Sequence, residues 1–224
     1  MKSLLLAAVA LAALSSGAIA ADAVAEKPVA APYNWSGFYV GAQAGYSWGR
    51  NRISDTSGNY FPFKPNGFLG GLYTGYNHQF ANKVTLGVDA DAAWSEADHG
   101  SPVFSQAGIL GGNPGTVDIE ATGAARIRLG YAADRFLPYV AGGVAFAKAS
   151  YGTQVNGKAT HNYTGWTLGA GVEYAVTDKL ILRGEYRYTD FGSHRADWSN
   201  SLGAFPVDWK MSSNDIRIGV AYKF

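Results

Sequence analysis

From residue 36 onward, apolar and polar positions alternate with a period of two, broken at intervals by breaker-rich segments. A period of two is the mark of a β-strand. In the first run, about 36–49, Phe38, Val40, Ala42, Ala44, Tyr46 and Trp48 share one face, and Tyr39, Gly41, Gln43, Gly45 and Ser47 the other. Seven further runs follow, at about 67–80, 83–96, 117–131, 137–150, 161–176, 180–191 and 213–224. The connections after the second, fourth and sixth runs are a few residues long. Those after the first, third, fifth and seventh are longer, roughly 50–66, 97–116, 151–160 and 192–212, and rich in Gly, Asn, Ser, Pro and Asp. An even number of strands, ten or so residues each, joined by alternating short and long connections, predicts an all-β fold. The prediction is an eight-stranded antiparallel up-and-down barrel that crosses a membrane, with short turns in the periplasm and long loops outside.

The seventh run, LRGEYRYTD (182–190), carries Arg183, Glu185 and Arg187 on one face and Leu182, Tyr186 and Tyr188 on the other. In lipid every backbone group must be paired within the protein, so a spanning sheet closes on itself. Its apolar face then meets hydrocarbon and its ionic face lines the lumen. By this parity the lumen receives Asp89, Asp91, Asp118, Glu120, Glu173, Glu185 and Asp215, together with Arg126, Arg128, Arg183, Arg187, Arg217 and Lys223. Side chains largely fill an eight-stranded bore. A near-balanced set of charges there is expected to pair as a structural plug. The alternatives are an ion-selective constriction or a catalytic carboxylate set. Lumen glycines leave room for the arginine side chains opposite.

The aromatic residues agree with this orientation. Trp48, Trp94, Trp166 and Tyr188 fall at the loop-side ends of the apolar face. Phe38, Tyr76, Phe80, Tyr131, Tyr174, Tyr222 and Phe224 fall at the turn-side ends. Two such bands are expected at the two membrane interfaces.

Composition narrows the class. The first twenty residues have a Lys near the start, an apolar run from Leu4 to Leu14 and a small-residue end, Ala18-Ile19-Ala20. They read as a secretory signal cleaved after Ala20. The apolar run is too short for a membrane anchor. Without Lys2, the remaining chain has 17 basic and 17 acidic residues. It has no basic stripe to favour nucleic acid. Absence of Cys excludes disulfides, thiol catalysis and Cys-ligated metals. With 29 glycines and 14% aromatics the chain is unlike a soluble enzyme. Residues 21–34, Ala/Pro-rich and aperiodic, are expected to form a periplasmic linker ahead of a barrel spanning 35–224.

Two end motifs carry a resemblance. The terminal DIRIGVAYKF sets Ile218, Val220, Tyr222 and Phe224 on one face and resembles the signal that outer-membrane barrels show to the barrel-assembly machinery. Together with NWSGFYVGAQAGYSWG (34–49), it resembles the alphaproteobacterial small outer-membrane protein family. These proteins are termed outer membrane immunogenic or porin-family proteins, and their barrel is similar to the OmpA transmembrane domain. The resemblance covers 34–224. It implies an abundant surface antigen of the cell outer membrane. Such a protein would contribute to envelope integrity, sit among lipid and lipopolysaccharide, and meet host or environmental ligands through its outer loops. Some relatives are described as pores and some as haem binders, so a narrow porin-like channel for small solutes and a haem-binding surface protein are the alternatives. The sequence ends with the eighth run, so a peptidoglycan-gripping domain like that of full-length OmpA is not expected.

No catalytic constellation is legible. Asp98-His99 and Ser193-His194 are adjacent residues in loops, with no third member of a triad. His99, His161 and His194, with Tyr151 and Tyr163, could ligate haem or a metal but lack a fixed ligand spacing. Solvated loop histidines are the simpler reading, and His78 reads as an interface residue. No cofactor is expected. Loop aromatics and aliphatics, Phe104, Ile109 and Leu110 in one loop and Trp198, Phe205 and Trp209 in another, suit either a binding surface or a cap over the barrel mouth.

Overall fold

A computed structural model describes residues 32–49, 51–54, 60–63, 66–95, 116–153, 157–200 and 203–224, with side chains for 32–49, 66–95, 121–148, 162–193 and 210–224. The described residues form ten strands: β1 (Gly37–Gly49), β2 (Asn51–Ser54), β3 (Tyr60–Phe63), β4 (Asn66–Gln79), β5 (Val84–Ser95), β6 (Thr116–Tyr131), β7 (Phe136–Thr153), β8 (Gly157–Ala175), β9 (Leu180–Asn200) and β10 (Gly203–Lys223). Eight of them, β1 and β4 to β10, pair antiparallel in chain order. β1 pairs with β4 on one side and with β10 on the other, from Tyr39↔Lys223 to Gly49↔Ser213, which closes the barrel. No sheet edge is left along this wall, as a hydrocarbon environment requires.

The exterior is apolar. Phe68, Ile218, Ile127 and Trp94 are 75, 67, 64 and 57% exposed, values that only a lipid solvent makes favourable for so many large side chains together. Val88, Leu129, Val140, Leu168 and Leu182 continue the same surface. Arg183, Glu185 and Arg187 of β9 point inward and are buried.

The outer ends differ from the expectation of long loops. β7 and β8 stay paired to Thr153↔Gly157, and β9 and β10 to Asn200↔Gly203. The hairpin β2–β3 joins β10 at Asp208–Lys210. Three of the four expected loops (50–66, 151–160 and 192–212) therefore carry paired strand. Beyond the membrane both faces of a strand meet water, so the apolar alternation that betrays a spanning segment is lost there. Residues 96–115, and with them Asp98, His99, Phe104, Ile109 and Leu110, lie outside the described residues.

Of the expected linker, residues 32–34 are described. Tyr33 and Trp35 are buried against the turns at the base of the barrel, and Trp35 is only 1% exposed. They share the odd parity of Tyr39, and so continue the inward-facing row of β1 below its first ladder pair.

Candidate functional site

The lumen is built from residues of all eight barrel strands. Nearest the periplasmic end, Glu173 on β8 accepts from Arg183 Nε at 2.8 Å and sits 2.7 Å from its Nη2. Arg128 Nη2 lies 2.9 Å from the other Glu173 oxygen. Three tyrosines pack on these two guanidiniums. Arg128 donates to the Tyr39 hydroxyl at 2.5 Å and lies 4.1 Å over the Tyr139 ring, and Arg183 lies 4.0 Å over the Tyr73 ring. Cation–π contact of this kind strengthens when water is absent.

The next layer turns on Arg126. Its Nε and Nη2 each donate to Asp89 at 2.9 Å, and its Nη1 and Nη2 reach Glu185 at 2.8 and 3.1 Å. Asp89 and Arg126 are register partners on β5 and β6, whereas Glu185 lies on β9 across the bore. Glu185 also accepts from Tyr139 Oη at 2.6 Å and from Arg187 Nε at 2.9 Å. Asp89 joins the two layers, 3.6 Å from Arg183 and 4.0 Å from Arg128.

The outermost layer centres on Asp91. Arg187 reaches it at 2.9 Å and Arg217 at 3.1 Å, both from across the lumen, and Arg217 also holds Asp215 at 2.8 Å. Among the described residues, then, five arginines and five carboxylates form one contiguous chain, with every member's side chain at most 5% exposed. Arginine suits the task because its planar fork serves two carboxylates at once and stays charged. Toward the outer end a cavity of about 60 Å³ remains, lined by Ser47, Leu69, Thr189, Phe191, Met211 and Asp215 among others. It has room for roughly four waters.

Some expected lumen residues are placed differently or not at all. Asp118 and Glu120 belong to β6, but their side chains lie outside the described residues. The β6–β7 register shifts between Ile119 and Ala121. Lys223 stays at the periplasmic rim, where its ammonium contacts the Asn34 carbonyl and lies 4.8 Å over the Tyr33 ring. Gly41, Gly75, Gly171 and Gly219 make room for tyrosine rings, whereas Gly45 and Gly169 face arginines. Tyr139 stands opposite Gly171, and Tyr39 opposite Gly75. A Cβ on Gly171 would sit 2.6 Å from the Gly184 carbonyl oxygen and 2.8 Å from Tyr139 Cζ. Gly171→Ala is therefore expected to displace Tyr139 from Glu185 and cost about 1–3 kcal/mol. Urea unfolding in lipid vesicles reads this cost.

Tyr139 is a lumen residue that sequence reasoning passed over; its parity, opposite to that of the outward Val140, was the available signal. On the exterior, Trp166 and Tyr188 pack with ring centroids 5.4 Å apart at the outer ends of β8 and β9, and Trp48 lies near Tyr46 and Tyr186. Trp94 is exposed nearby on β5, while Tyr174 packs on Phe136 and Tyr222 on Phe224 at the turn side. Ile218, Val220, Tyr222 and Phe224 all face outward. His78 is exposed and packs on Phe80. Tyr163 is buried in an apolar cluster with Ala145, Phe191 and Met211. The side chains of His161, His194, Tyr151, Trp198, Phe205 and Trp209 lie outside the described residues. Among the described residues no three His, Asp or Glu side chains are grouped to hold a metal ion.

A closed eight-stranded antiparallel sheet with a lipid-compatible exterior and an ionic interior defines an outer-membrane β-barrel. The chain belongs to the family described as the outer membrane protein beta-barrel domain, whose model matches residues 6–224. It is 34% identical over 247 residues to the 31 kDa outer-membrane immunogenic protein of Brucella melitensis biotype 1, covering all of both chains. It is 33% identical over 231 residues to the 25 kDa outer-membrane immunogenic protein of Brucella canis, covering 100% of this chain and 99% of that one. Among solved structures, the outer membrane protein OprG from Pseudomonas aeruginosa is similar in fold, with a TM-score of 0.52 at 13% identity, covering 86% of this chain and 98% of that one.

Proposed function

We propose that this outer-membrane barrel is a closed structural element of the envelope, which lends integrity to the membrane and presents its outer segments to the surroundings. The observation that carries the reading is the continuous run of ion pairs across the bore. Arg126, Arg187 and Arg217 each reach a carboxylate on the far wall. An ion entering this bore must displace charges already paired and out of water, which is costly. The names of the Brucella relatives, immunogenic outer-membrane proteins, support exposure of such chains at the cell surface. In the same reading residues 1–20 direct export and the outward aromatics anchor the barrel at the interfaces. The outward C-terminal residues Ile218, Val220, Tyr222 and Phe224 are the signal for the assembly machinery.

The test is single-channel recording of the folded protein in planar bilayers. No steady conductance is expected, and Arg187→Ala is expected to lower stability without opening a regular channel. Frequent uniform openings of the unaltered protein, with selectivity altered by Arg187→Ala, would overturn the reading and make the protein a narrow diffusion channel.

A further inference from the structure

The segment before β1 does something that a linker does not. Residues 32–36 belong to no strand, yet they are fastened across the periplasmic mouth from several directions. The Trp35 amide donates to Gln79 Oε1 at 2.8 Å, and its indole N–H donates to the Asp134 carbonyl at 2.9 Å. The Tyr33 amide donates to Asp134 Oδ1 at 3.2 Å, and its hydroxyl to the Asp178 carbonyl at 3.4 Å. Lys223 holds the Asn34 carbonyl, and the Gln79 amide donates to Ser36 Oγ at 2.9 Å. These partners come from the end of β4, the β6–β7 turn, the β8–β9 turn and the end of β10. Beneath the two rings lie Ala132, Leu137, Ala175, Ile181 and Ala221, an apolar floor that would otherwise meet periplasmic water.

Every one of these contacts runs through a side chain of the segment or of its partner. Ladder pairing of β1 with β4 begins only at Gly37↔Asn77. Gly37 has φ +138°, a backbone conformation that suits glycine, and it stands at the junction between the segment and the strand. The segment can therefore detach without any rung of the barrel opening. Burial, with the Asp178 and Glu173 carboxylates nearby, pushes the Tyr33 phenol up to about 12, so the hydroxyl remains a donor at neutral pH.

We propose that residues 32–36 are a strap that stoppers the periplasmic mouth, a second seal below the ion pairs. Its release admits periplasmic water as far as the Glu173–Arg183 layer while the barrel wall stays intact. Local opening separate from global unfolding is available to a segment that shares no ladder rung with the barrel. Conductance does not read this device, because the ion pairs stand above it.

The chain has no cysteine, so a single reporter is clean. Ala175→Cys, on the floor under the strap, is placed in the folded full chain in lipid nanodiscs and treated with a membrane-impermeant maleimide. With the strap intact, labelling is expected to be slow. Adding Tyr33→Ala and Trp35→Ala is expected to speed it by about tenfold or more, with the heat-dependent gel mobility of the folded barrel retained. Fast labelling beneath an intact strap, or an unchanged rate after the double replacement, would overturn the proposal. Should the double variant fail to fold, Trp35→Phe takes its place. It keeps a ring and loses the donor to Asp134, so faster labelling is expected and an unchanged rate again overturns the strap.

Discussion

Replacing Arg126 by Ala is expected to cost about 3–5 kcal/mol of barrel stability, the magnitude typical of breaking a buried ion pair from one side. Arg126 is the hinge of the network. It makes two bonds to Asp89 and two to Glu185, and its own side chain is wholly buried. Its loss leaves two carboxylates short of a partner in a space that excludes water. Glu185 retains Arg187 and Tyr139, whereas Asp89 is left with Arg183 at 3.6 Å and Arg128 at 4.0 Å. Arg126→Lys keeps the charge but cannot form both forked pairs, so it should fall between Ala and the unaltered protein. Urea unfolding of the three proteins in vesicles, followed by tryptophan fluorescence, gives the ranking. A cost for Arg126→Ala below about 1 kcal/mol, the range of exposed pairs, would mean that water reaches this layer and that the bore is not closed.

The faces of the strands were legible in the sequence because two unlike solvents write them. Leu182, Tyr186 and Tyr188 meet lipid while Arg183, Glu185 and Arg187 meet one another, and a period of two separates them without reference to any other strand. Strand ends were less legible for the same reason. At residues 192–212 both faces leave the membrane, the contrast vanishes, and paired strand reads as loop. Partners within the site were not legible at all. Arg126 meets Asp89 on the neighbouring strand but Glu185 on the far wall, and only the register and the closure of the sheet decide the second contact. Nor did composition mark the strap: Tyr33 and Trp35 stand beside an Ala/Pro-rich stretch, and their burial depends on turns 99 to 145 residues away in sequence. The glycines illustrate a subtler limit. That they make room was evident, but whether for Arg or Tyr depends on which residue stands opposite.

Glu173→Ala is expected to be as damaging as Arg126→Ala, and for the mirror reason. Glu173 lies 2.9 Å from Arg128 and 2.7 Å from Arg183, so its removal leaves two guanidiniums between tyrosine rings with only the more distant Asp89. A loss of about 3–5 kcal/mol is again expected. The two changes together should cost less than their sum. Arg126→Ala leaves Asp89 in want of a cation, and Glu173→Ala leaves Arg128 and Arg183 in want of an anion. Asp89 already lies 3.6 Å from Arg183 and 4.0 Å from Arg128, close enough to turn toward them. The double variant also restores the balance of charge in the lumen, with four arginines facing four carboxylates among the described residues. Groups that share a partner couple by about 0.5–3 kcal/mol, and here the sign favours the double variant. A thermodynamic cycle of the four proteins measures it. If the two costs simply add, within about 0.5 kcal/mol, the layers act independently and Asp89 does not join them. If the double variant recovers a kilocalorie or more, the lumen behaves as one electrostatic unit running from the periplasmic tyrosines to Asp215.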